Sequence, residues 1–298
     1  HAFRNTDNRS KINSGALNLV RNYSAVTAAC LMVRKEVYKE VGGLDEVAFP
    51  VAYNDVDLCF RANNSRFRNL WTPNACHIHA ESSSRGSDFV REKIARSSNE
   101  KQKAISRWVT FFGGDPSYNR NLTLASEGYN YKIRDEACYT WELSKLKFIK
   151  NKLPENNYYS QNHFTSLYKN EKLLFQDKSI LVSIVIVLYN NVKDTYNCLL
   201  SIIGQEFQEY EVILIDNNST DETEKLVSDY SGNYKYKRLD KNYGFVEAAN
   251  IGSDIAVGEF ILFLNNDTIL LNNTIREAIN GFYDKEVGVV GAKLIYPD

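Results

Sequence analysis

The chain has 298 residues, 43% of them hydrophobic and 24% charged, which is enough for one large or two ordinary domains with a buried core. Its net charge of -1 excludes a bulk electrostatic attraction to nucleic acid or to an anionic membrane. The five cysteines are scattered without a C-x-x-C pair, which favours a reducing compartment and counts against a zinc or disulfide framework. No apolar run reaches membrane-spanning length, and no signal peptide is recognisable.

The sequence pattern of the first part of the chain predicts short strands and helices, which are separated by turns of glycine, proline and polar residues. In chain order we expect a strand over 25–33, a helix over 34–41 that stops at Gly42-Gly43, a helix whose first turn carries Asp55 and Asp57, a strand over 67–72 ended by Pro73, a loop containing His77 and His79, and a helix over 88–110.

The middle of the chain has a different composition, rich in Asn, Tyr and Lys. It contains a helical stretch near 139–152 but no catalytic constellation. We therefore interpret residues 123–179 as a linker with some helix of its own.

From Val182 onward, apolar strands alternate with amphipathic helices. Strands are expected over 182–189, 212–215, 234–239, 260–264 and 287–295, with helices over 195–203, 222–230, 244–257 and 272–284. This alternation predicts right-handed βαβ units and a mostly parallel sheet.

Polar residues follow three of these strands directly. The unbroken apolar run 260–264 ends in Asn265, Asn266 and Asp267, and the first two strands end at Tyr189 and Asp216. Polar turns alone would explain each of them. Because carboxyl ends of parallel strands meet at one edge, where open α/β sheets bind ligands, we predict a nucleotide-type site there.

The glycine motifs of other nucleotide enzymes are missing. There is no G-x-G-x-x-G after the first strand, which counts against a Rossmann-type oxidoreductase, and no G-x-x-x-x-G-K-[ST]. Asp216 is suited to hydrogen bonds from a base or ribose, and Asp267 to Mg²⁺ or Mn²⁺ on a diphosphate. A ligand that uses Asp216 at its base or ribose and Asp267 at its metal-bound diphosphate would be a nucleotide-diphosphate sugar, and the sequence favours this class.

Two sets of motifs resemble family-2 inverting glycosyltransferases of the GT-A fold. The C-terminal segment, residues 180–298, is similar to the nucleotide-binding half through VSIVIVLYNN, EVILIDNNSTDET, KNYGFVEAANIG and FILFLNNDT. The N-terminal segment, residues 1–122, is similar to the acceptor-binding half through RNYSAVTAACLMVRKEVYKEVGGLDE, NDVDLCFR, WTPNACHIHAESSSRG and DPSYNRNLTL. The resemblance implies an α/β GT-A fold, with a mostly parallel Rossmann-like sheet flanked by helices.

The two halves stand in reversed order relative to the family. The start in mid-pattern at His1 favours a fragment of a tandem enzyme, with the end of one transferase domain followed by the start of the next. Alternatively, the chain is a circular permutant whose halves close into one domain. The halves would also fit each other across two copies as a swapped dimer.

The resemblance assigns a catalytic base and a metal site. The base falls on Asp55, for which an ordinary acid at a helix start is the alternative, while Asp57 is expected to be structural or a cap. Asp267 matches the metal-binding acid, and His79 matches a late histidine that completes the shell of Mn²⁺ or Mg²⁺, a loop histidine with protein partners being the alternative. Asn265 occupies the position of the usual first acid, so we expect weak metal affinity.

The resemblance also assigns residues to the nucleotide-sugar. Asp216 is expected to read the base or ribose, unless it only caps the following helix, and Gly244 is a turn glycine in the alternative interpretation. Arg85 is expected to pair with the diphosphate, an exposed loop arginine being the alternative. The full set is Tyr189, Asn190, Asp216, Asn242, Gly244, Asn250, Asn266 and Arg85.

What the resemblance implies is a hexosyltransferase-type enzyme. It would move a sugar from a UDP- or dTDP-linked donor to a hydroxyl of a glycan or lipid-linked glycan, with inversion, in bacterial surface polysaccharide synthesis. The expected location is the cytoplasm, at or near the inner face of the membrane, with no nucleic acid partner. The alternative is a catalytically incomplete, nucleotide-binding fragment of a tandem glycosyltransferase.

Overall fold

The computed structural model of the chain describes residues 18–79, 91–113, 117, 180–230 and 233–295. These residues belong to one compact unit, which includes parts of both the N-terminal and the C-terminal segment. The predicted linker 123–179, its helix and Arg85 lie outside the described residues. In the part of the chain that is described, no helix has the length and apolarity needed to cross a bilayer.

The described residues form strands and helices in the following order. The strands are β1 (Arg21–Asn22), β2 (Cys30–Arg34), β3 (Arg68–His79), β4 (Val182–Leu188), β5 (Tyr210–Asp216), β6 (Tyr234–Arg238), β7 (Phe260–Leu264), β8 (Thr268–Leu270) and β9 (Val287–Ile295). The helices are α1 (Lys35–Glu40), α2 (Asn54–Asn64), α3 (Arg91–Arg107), α4 (Val109–Gly113), α5 (Val192–Ile203), α6 (Thr223–Ser228), α7 (Phe245–Asp254) and α8 (Thr274–Asn280).

All described strands join one sheet in the order β1-β3-β9-β2-β7-β4-β5-β6, with β8 pairing to β3. Strands β7, β4, β5 and β6 run parallel to one another. Beyond them β2 is antiparallel to both of its neighbours, and β3 runs parallel to β9. The predicted α/β class, with a Rossmann-like parallel region flanked by helices, is confirmed, and the sheet becomes mixed on one side.

Strand β2 connects the two segments of the chain. It comes from the N-terminal segment but lies between two strands of the C-terminal segment, β7 and β9. Cys30 faces Leu264 across one ladder, and Met32 faces Val290 across the other. The five residues of β2 bury four side chains, so this strand is part of the central core of the sheet.

The apolar side chains of the central strands alternate between the two faces of the sheet. On β4, Ile184 and Ile186 belong to the core cluster that includes residues of α5 and α8. Val185 and Val187 belong to the cluster on the other face, which includes residues of α1, α2 and α7. Burial on both faces explains why β4 and β7 read as unbroken apolar runs rather than as alternating patterns.

Strand β3 is longer than the sequence predicts, and this corrects the expected loop around His77 and His79. Pro73 does not end the strand, because the ladder with β9 is irregular between Thr72 and Cys76. A bulge accommodates a residue that has no backbone N–H to donate. Both histidines therefore lie in the strand, opposite β8, which is too short to show a period in the sequence.

The packing of Val26 on Gly291 gives a test of the contact between the two segments. A Cβ added at Gly291 would lie 2.5 Å from Cβ of Val26. We expect Gly291→Ala to lower the free energy of unfolding by about 1–3 kcal/mol through overpacking, as measured by urea denaturation.

The matched control is Val26→Gly, which removes the atoms that clash. The double variant should lose less stability than the sum of the two single variants, with a coupling of about 0.5–3 kcal/mol. Strict additivity would mean that these two residues do not touch within one chain.

Candidate functional site

Several of the described residues that the sequence analysis selected lie at one edge of the sheet. Strands β4, β5, β7 and β3 all point their carboxyl ends toward this edge, because β2 is antiparallel to β7 and β9, and β3 is parallel to β9. Tyr189, Asp216 and Asp267 follow or end three of these strands, and His79 ends the fourth. Such an edge is the usual ligand site of an open α/β sheet.

Asn190 ties the end of β4 to the loop after β5. Its backbone is left-handed, with φ of 55°, and its N–H donates to Oγ of Ser219 at 2.9 Å. Its side-chain oxygen accepts from the backbone N–H of Thr220 at 2.7 Å and of Asp221 at 3.3 Å. Tyr189 beside it remains 39% exposed, so its ring is accessible for stacking.

Asp216 is fully buried at the end of β5 and is surrounded by donors. The carboxylate accepts from the backbone N–H of Ser219 at 2.8 Å, from the hydroxyl of Tyr236 at 2.8 Å and from Arg238 at 2.7 Å. Burial, followed by the hydrogen bond to Asp216, raises the pKa of Tyr236 to about 12, so its hydroxyl keeps its proton at neutral pH. A ligand that bonds to Asp216 therefore has to displace one of these donors or share the carboxylate with them.

The helix start after β5 uses a different residue from Asp216. Asp221 accepts from the backbone N–H of Thr223 at 3.1 Å and from its hydroxyl at 2.5 Å. Asp216 holds the preceding turn instead, through Ser219.

Asn217 organises the next loop, and the sequence reasoning did not select it. This residue is 2% exposed. Its amide donates to Oδ1 of Asn242 at 2.8 Å and to the carbonyl of Gly244 at 3.0 Å, and its oxygen accepts from the N–H of Tyr243 at 2.8 Å. The sequence feature that could have identified Asn217 is its position directly after Asp216. An amide at that position both donates and accepts hydrogen bonds, whereas a carboxylate only accepts them.

Asn242 and Gly244 are therefore held beside the end of β5. Gly244 precedes α7 with φ of +85°, a conformation that favours glycine, and no heavy atom lies within 4 Å of the position of a Cβ. The backbone at this point is open to close approach by a ligand.

Asn250 has protein partners on both of its amide atoms. Its oxygen accepts from the hydroxyl of Tyr38 at 2.6 Å and from the N–H of Leu44 at 3.1 Å. Its nitrogen donates to the carbonyl of Leu44 and to a carboxylate oxygen of Glu46, each at 2.9 Å. In this structure Asn250 joins α7 to α1 and to the chain after it, and a role toward a nucleotide-sugar stays a prediction.

His79 and Asp267, predicted as metal ligands, lie together. The Nε2 atom of His79 is 3.0 Å from Oδ1 of Asp267 and 3.2 Å from the amide nitrogen of Asn265. Both carboxylate and imidazole are largely buried, with 6% and 14% side-chain exposure. Asn266 turns toward α5 instead, where its amide donates to the hydroxyl of Thr195 at 3.1 Å.

The His79–Asp267 pair fits a divalent cation that takes the rest of its ligands from substrate and water. Within the described ranges there is no cluster of three or more His, Cys, Asp or Glu side chains able to hold a metal. Mg²⁺ and comparable ions commonly bind through one or two carboxylates and complete their shell with phosphate oxygens. The donor set of one carboxylate and one imidazole matches that pattern, with imidazole favouring Mn²⁺.

Asp55 lies in the first turn of α2, close to the same edge. One carboxylate oxygen accepts from the N–H of Ala28 at 3.1 Å, and the other from the N–H of Val56 at 2.8 Å. The neighbouring residue Ala29 accepts from the N–H of Asn265 at 3.1 Å. The turn at 27–29, just before β2, thus contacts both Asp55 and the loop that carries Asp267.

Comparison with known protein families finds a match in the C-terminal segment. Residues 183–298 match the family described as "Glycosyl transferase family 2". A protein of Sinorhizobium fredii described as "Uncharacterized protein y4gI" is 46% identical over 108 residues, which are 36% of this chain and 12% of that protein. The "O-antigen biosynthesis protein RfbC" of Myxococcus xanthus is 35% identical over 114 residues, which are 38% of this chain and 8% of that protein. The chain thus spans only a small part of these curated relatives.

Two further proteins of Staphylococcus aureus are similar to this chain. "Poly(ribitol-phosphate) beta-N-acetylglucosaminyltransferase TarP" is 30% identical over 110 residues, covering 35% of this chain and 33% of that protein. The crystal structure of TarS 1-349 in complex with UDP-GlcNAc is 31% identical, covers 34% of this chain and 30% of that chain, and has a TM-score of 0.33. The family match itself rests on residues 183–298, which fit the model of glycosyl transferase family 2.

Proposed function

We propose that this chain is a family-2 glycosyltransferase module that moves a sugar from a nucleotide-diphosphate donor to a hydroxyl of a glycan with inversion. The observation that carries the proposal is the turn at 27–29. Ala28 there donates to Asp55, and Ala29 accepts from Asn265, two residues before Asp267. The candidate base of the N-terminal segment and the loop that carries the candidate metal acid of the C-terminal segment thus contact the same short turn.

Each group has a defined chemical task in a direct displacement. Asp55 accepts the proton from the acceptor hydroxyl as its oxygen bonds to the anomeric carbon, while the bond from that carbon to the diphosphate breaks. Tyr189, Asn190, Asp216, Asn242 and Gly244 would hold the nucleoside part of the donor at the ends of β4 and β5. A bound divalent cation would neutralise charge on the leaving diphosphate, held by Asp267 and His79.

The names of the relatives suggest the biological role. RfbC is described as an O-antigen biosynthesis protein and TarP as a poly(ribitol-phosphate) N-acetylglucosaminyltransferase. We extend this to the present chain and propose a role in surface polysaccharide assembly, with a UDP- or dTDP-linked sugar as donor and a glycan or lipid-linked glycan as acceptor.

A catalytically incomplete, nucleotide-binding fragment is the second candidate. It would follow if Asp55 and Asp267 served different sites in a longer tandem protein. The pairing of β2 with both β7 and β9 favours a complete site, since it brings the N-terminal segment into the sheet that carries Asp267. The two candidates differ in one measurable property, which is sugar transfer by the isolated chain.

Replacement of the proposed base tests the reaction. We expect Asp55→Asn to lower kcat by about 10²–10⁴-fold, because the amide cannot accept the acceptor proton. The assay is release of nucleoside diphosphate from a panel of UDP- and dTDP-sugars with glycan acceptors. Glu36→Gln is the control, since Glu36 is the acid in the first turn of α1. Unchanged turnover in Asp55→Asn would show that this residue is not the base.

The metal site is tested by binding rather than by turnover. In calorimetric titrations, UDP should bind more tightly with Mn²⁺ than with EDTA. Asp267→Ala should weaken the Mn²⁺-dependent part by about tenfold or more, which corresponds to about 1.4 kcal/mol. His79→Ala should weaken it less, because imidazole contributes no charge. With EDTA, both variants should match the unmodified chain. Equal binding of UDP with and without Mn²⁺ would contradict the assignment.

Asn217 gives a test of the proposed nucleotide pocket. Asn217→Ala leaves buried partners in the 242–244 loop unsatisfied, so it should lower the free energy of unfolding by about 1–3 kcal/mol. It should also reduce the stabilisation by added UDP in urea denaturation. Asn218→Gly is the control, because Asn218 has φ of 66°, which glycine tolerates. Full UDP stabilisation in Asn217→Ala would place the nucleotide elsewhere.

A further inference from the structure

Asp57 is a buried carboxylate held by three side chains. It lies on α2 with its side chain completely shielded from solvent. One oxygen accepts from Nε of Arg61 at 2.7 Å. The other accepts from Nη1 of Arg107 at 3.0 Å and from Nε1 of Trp108 at 2.9 Å. Two of these partners come from the α3–α4 arm, which we define as residues 91–113.

The two arginines carry this network into the segment before α2. Arg61 also donates to the carbonyl oxygens of Val41 and Gly43. Arg107 also donates to Asp45 at 2.7 Å and lies 5.0 Å from the ring centroid of Phe49. Asp57 thus connects the 41–49 segment, α2 and the α3–α4 arm through charge-assisted hydrogen bonds, which are stronger than neutral ones.

Aromatic contacts hold the arm against the same helix. Phe60 of α2 stacks on Phe111 with ring centroids 4.2 Å apart and an angle of 10° between planes. Phe60 also meets Trp108 edge to face at 5.5 Å. These apolar contacts already fasten the arm to α2, so attachment of the arm does not require a buried carboxylate. Removing a charged carboxylate from water costs free energy. A buried carboxylate with polar partners is therefore weak evidence that the group stabilises the fold.

The position of Asp57 suggests what the charge does. It lies two residues after Asp55, in the first turn of a helix whose preceding residue, Tyr53, has a left-handed backbone with φ of 62°. Tyr53 makes no side-chain cap hydrogen bond to this turn. Asp55 is oriented on one side by the N–H of Ala28. Asp57, in the same turn, accepts from Arg61, Arg107 and Trp108.

We propose that Asp57 is a positioning residue for Asp55, and that the Arg107–Trp108 pair of the α3–α4 arm is needed to hold the base in its reactive orientation. This inference rests on the proposed function, since it assigns a partner to the proposed base. Asp57 does not touch the substrate in this account. It acts through the turn that carries Asp55, and misplacement of a catalytic group by about 1 Å can reduce turnover by about 100-fold.

The test compares variants of the whole chain in sugar transfer and in UDP binding. Asp57→Asn should lower kcat by about 10- to 100-fold. The KM for the donor and the affinity for UDP with Mn²⁺ should stay within about twofold, a small change in free energy. Trp108→Phe keeps an aromatic ring against Phe60 but removes the donated hydrogen bond, so a smaller drop in kcat is expected.

Glu100→Gln is the matched control for stability. Glu100 is a buried acid on α3 that accepts from the N–H of Ala52 at 2.5 Å and belongs to the same arm. Glu100 is not one of the residues whose hydrogen bonds to Asp57 are described above, which are Arg61, Arg107 and Trp108. Glu100→Gln should lower Tm while kcat stays within about twofold, below the range expected from a lost catalytic interaction.

The decisive variant is the double replacement Asp55→Asn/Asp57→Asn. If Asp57 acts through Asp55, the double variant retains the same residual rate as Asp55→Asn alone. If the two losses multiply, or if Asp57→Asn and Trp108→Phe keep full kcat when folded, the positioning role is wrong. Should Asp55→Asn itself keep full turnover, the proposed base fails, and the positioning role fails with it.

Discussion

The pairing of β2 with both β7 and β9 joins the N-terminal and C-terminal segments in one sheet. This strand is buried in the middle of the sheet, yet it is supplied by the N-terminal segment, while both of its neighbours come from the C-terminal segment. Without it, the two ladders of Cys30–Arg34 would leave unpaired backbone groups inside the core, at a cost comparable to a lost hydrogen bond for each group. The insertion joins the parallel strands β7, β4, β5 and β6 to β9 and β3 in one sheet.

The insertion also explains why the candidate site is polar on several sides. The chain enters β2 through the turn at 27–29, which contacts Asp55 and the loop carrying Asp267. From there the ends of β4 and β5 continue the edge with Tyr189, Asn190 and the buried Asp216. The nucleotide end and the proposed base end therefore lie along one edge of one sheet, which suits a reaction between a bound donor and an incoming hydroxyl.

Most of the fold could be predicted from periodicity. The apolar runs of β4 and β7 and the alternation with helices identified the α/β class, and the polar ends of strands identified the edge. What periodicity could not supply was long-range pairing, as in β8 opposite His77–His79, or the passage of β3 through Pro73 by a bulge. Sequence pattern also could not show that Asn250 faces Leu44, or that Asn217 holds the 242–244 loop, since those hydrogen bonds join residues distant in sequence.

We propose that a single chain completes its own site from both segments. The test is to mix two variants, Asp55→Asn and Asp267→Ala, each defective in a different segment, and to measure sugar transfer. If each chain closes on itself, every site in the mixture retains one defect, and activity should equal the average of the two separate variants. Recovery of a large fraction of the unmodified activity on mixing would contradict the claim, because sites would then form between segments of different copies.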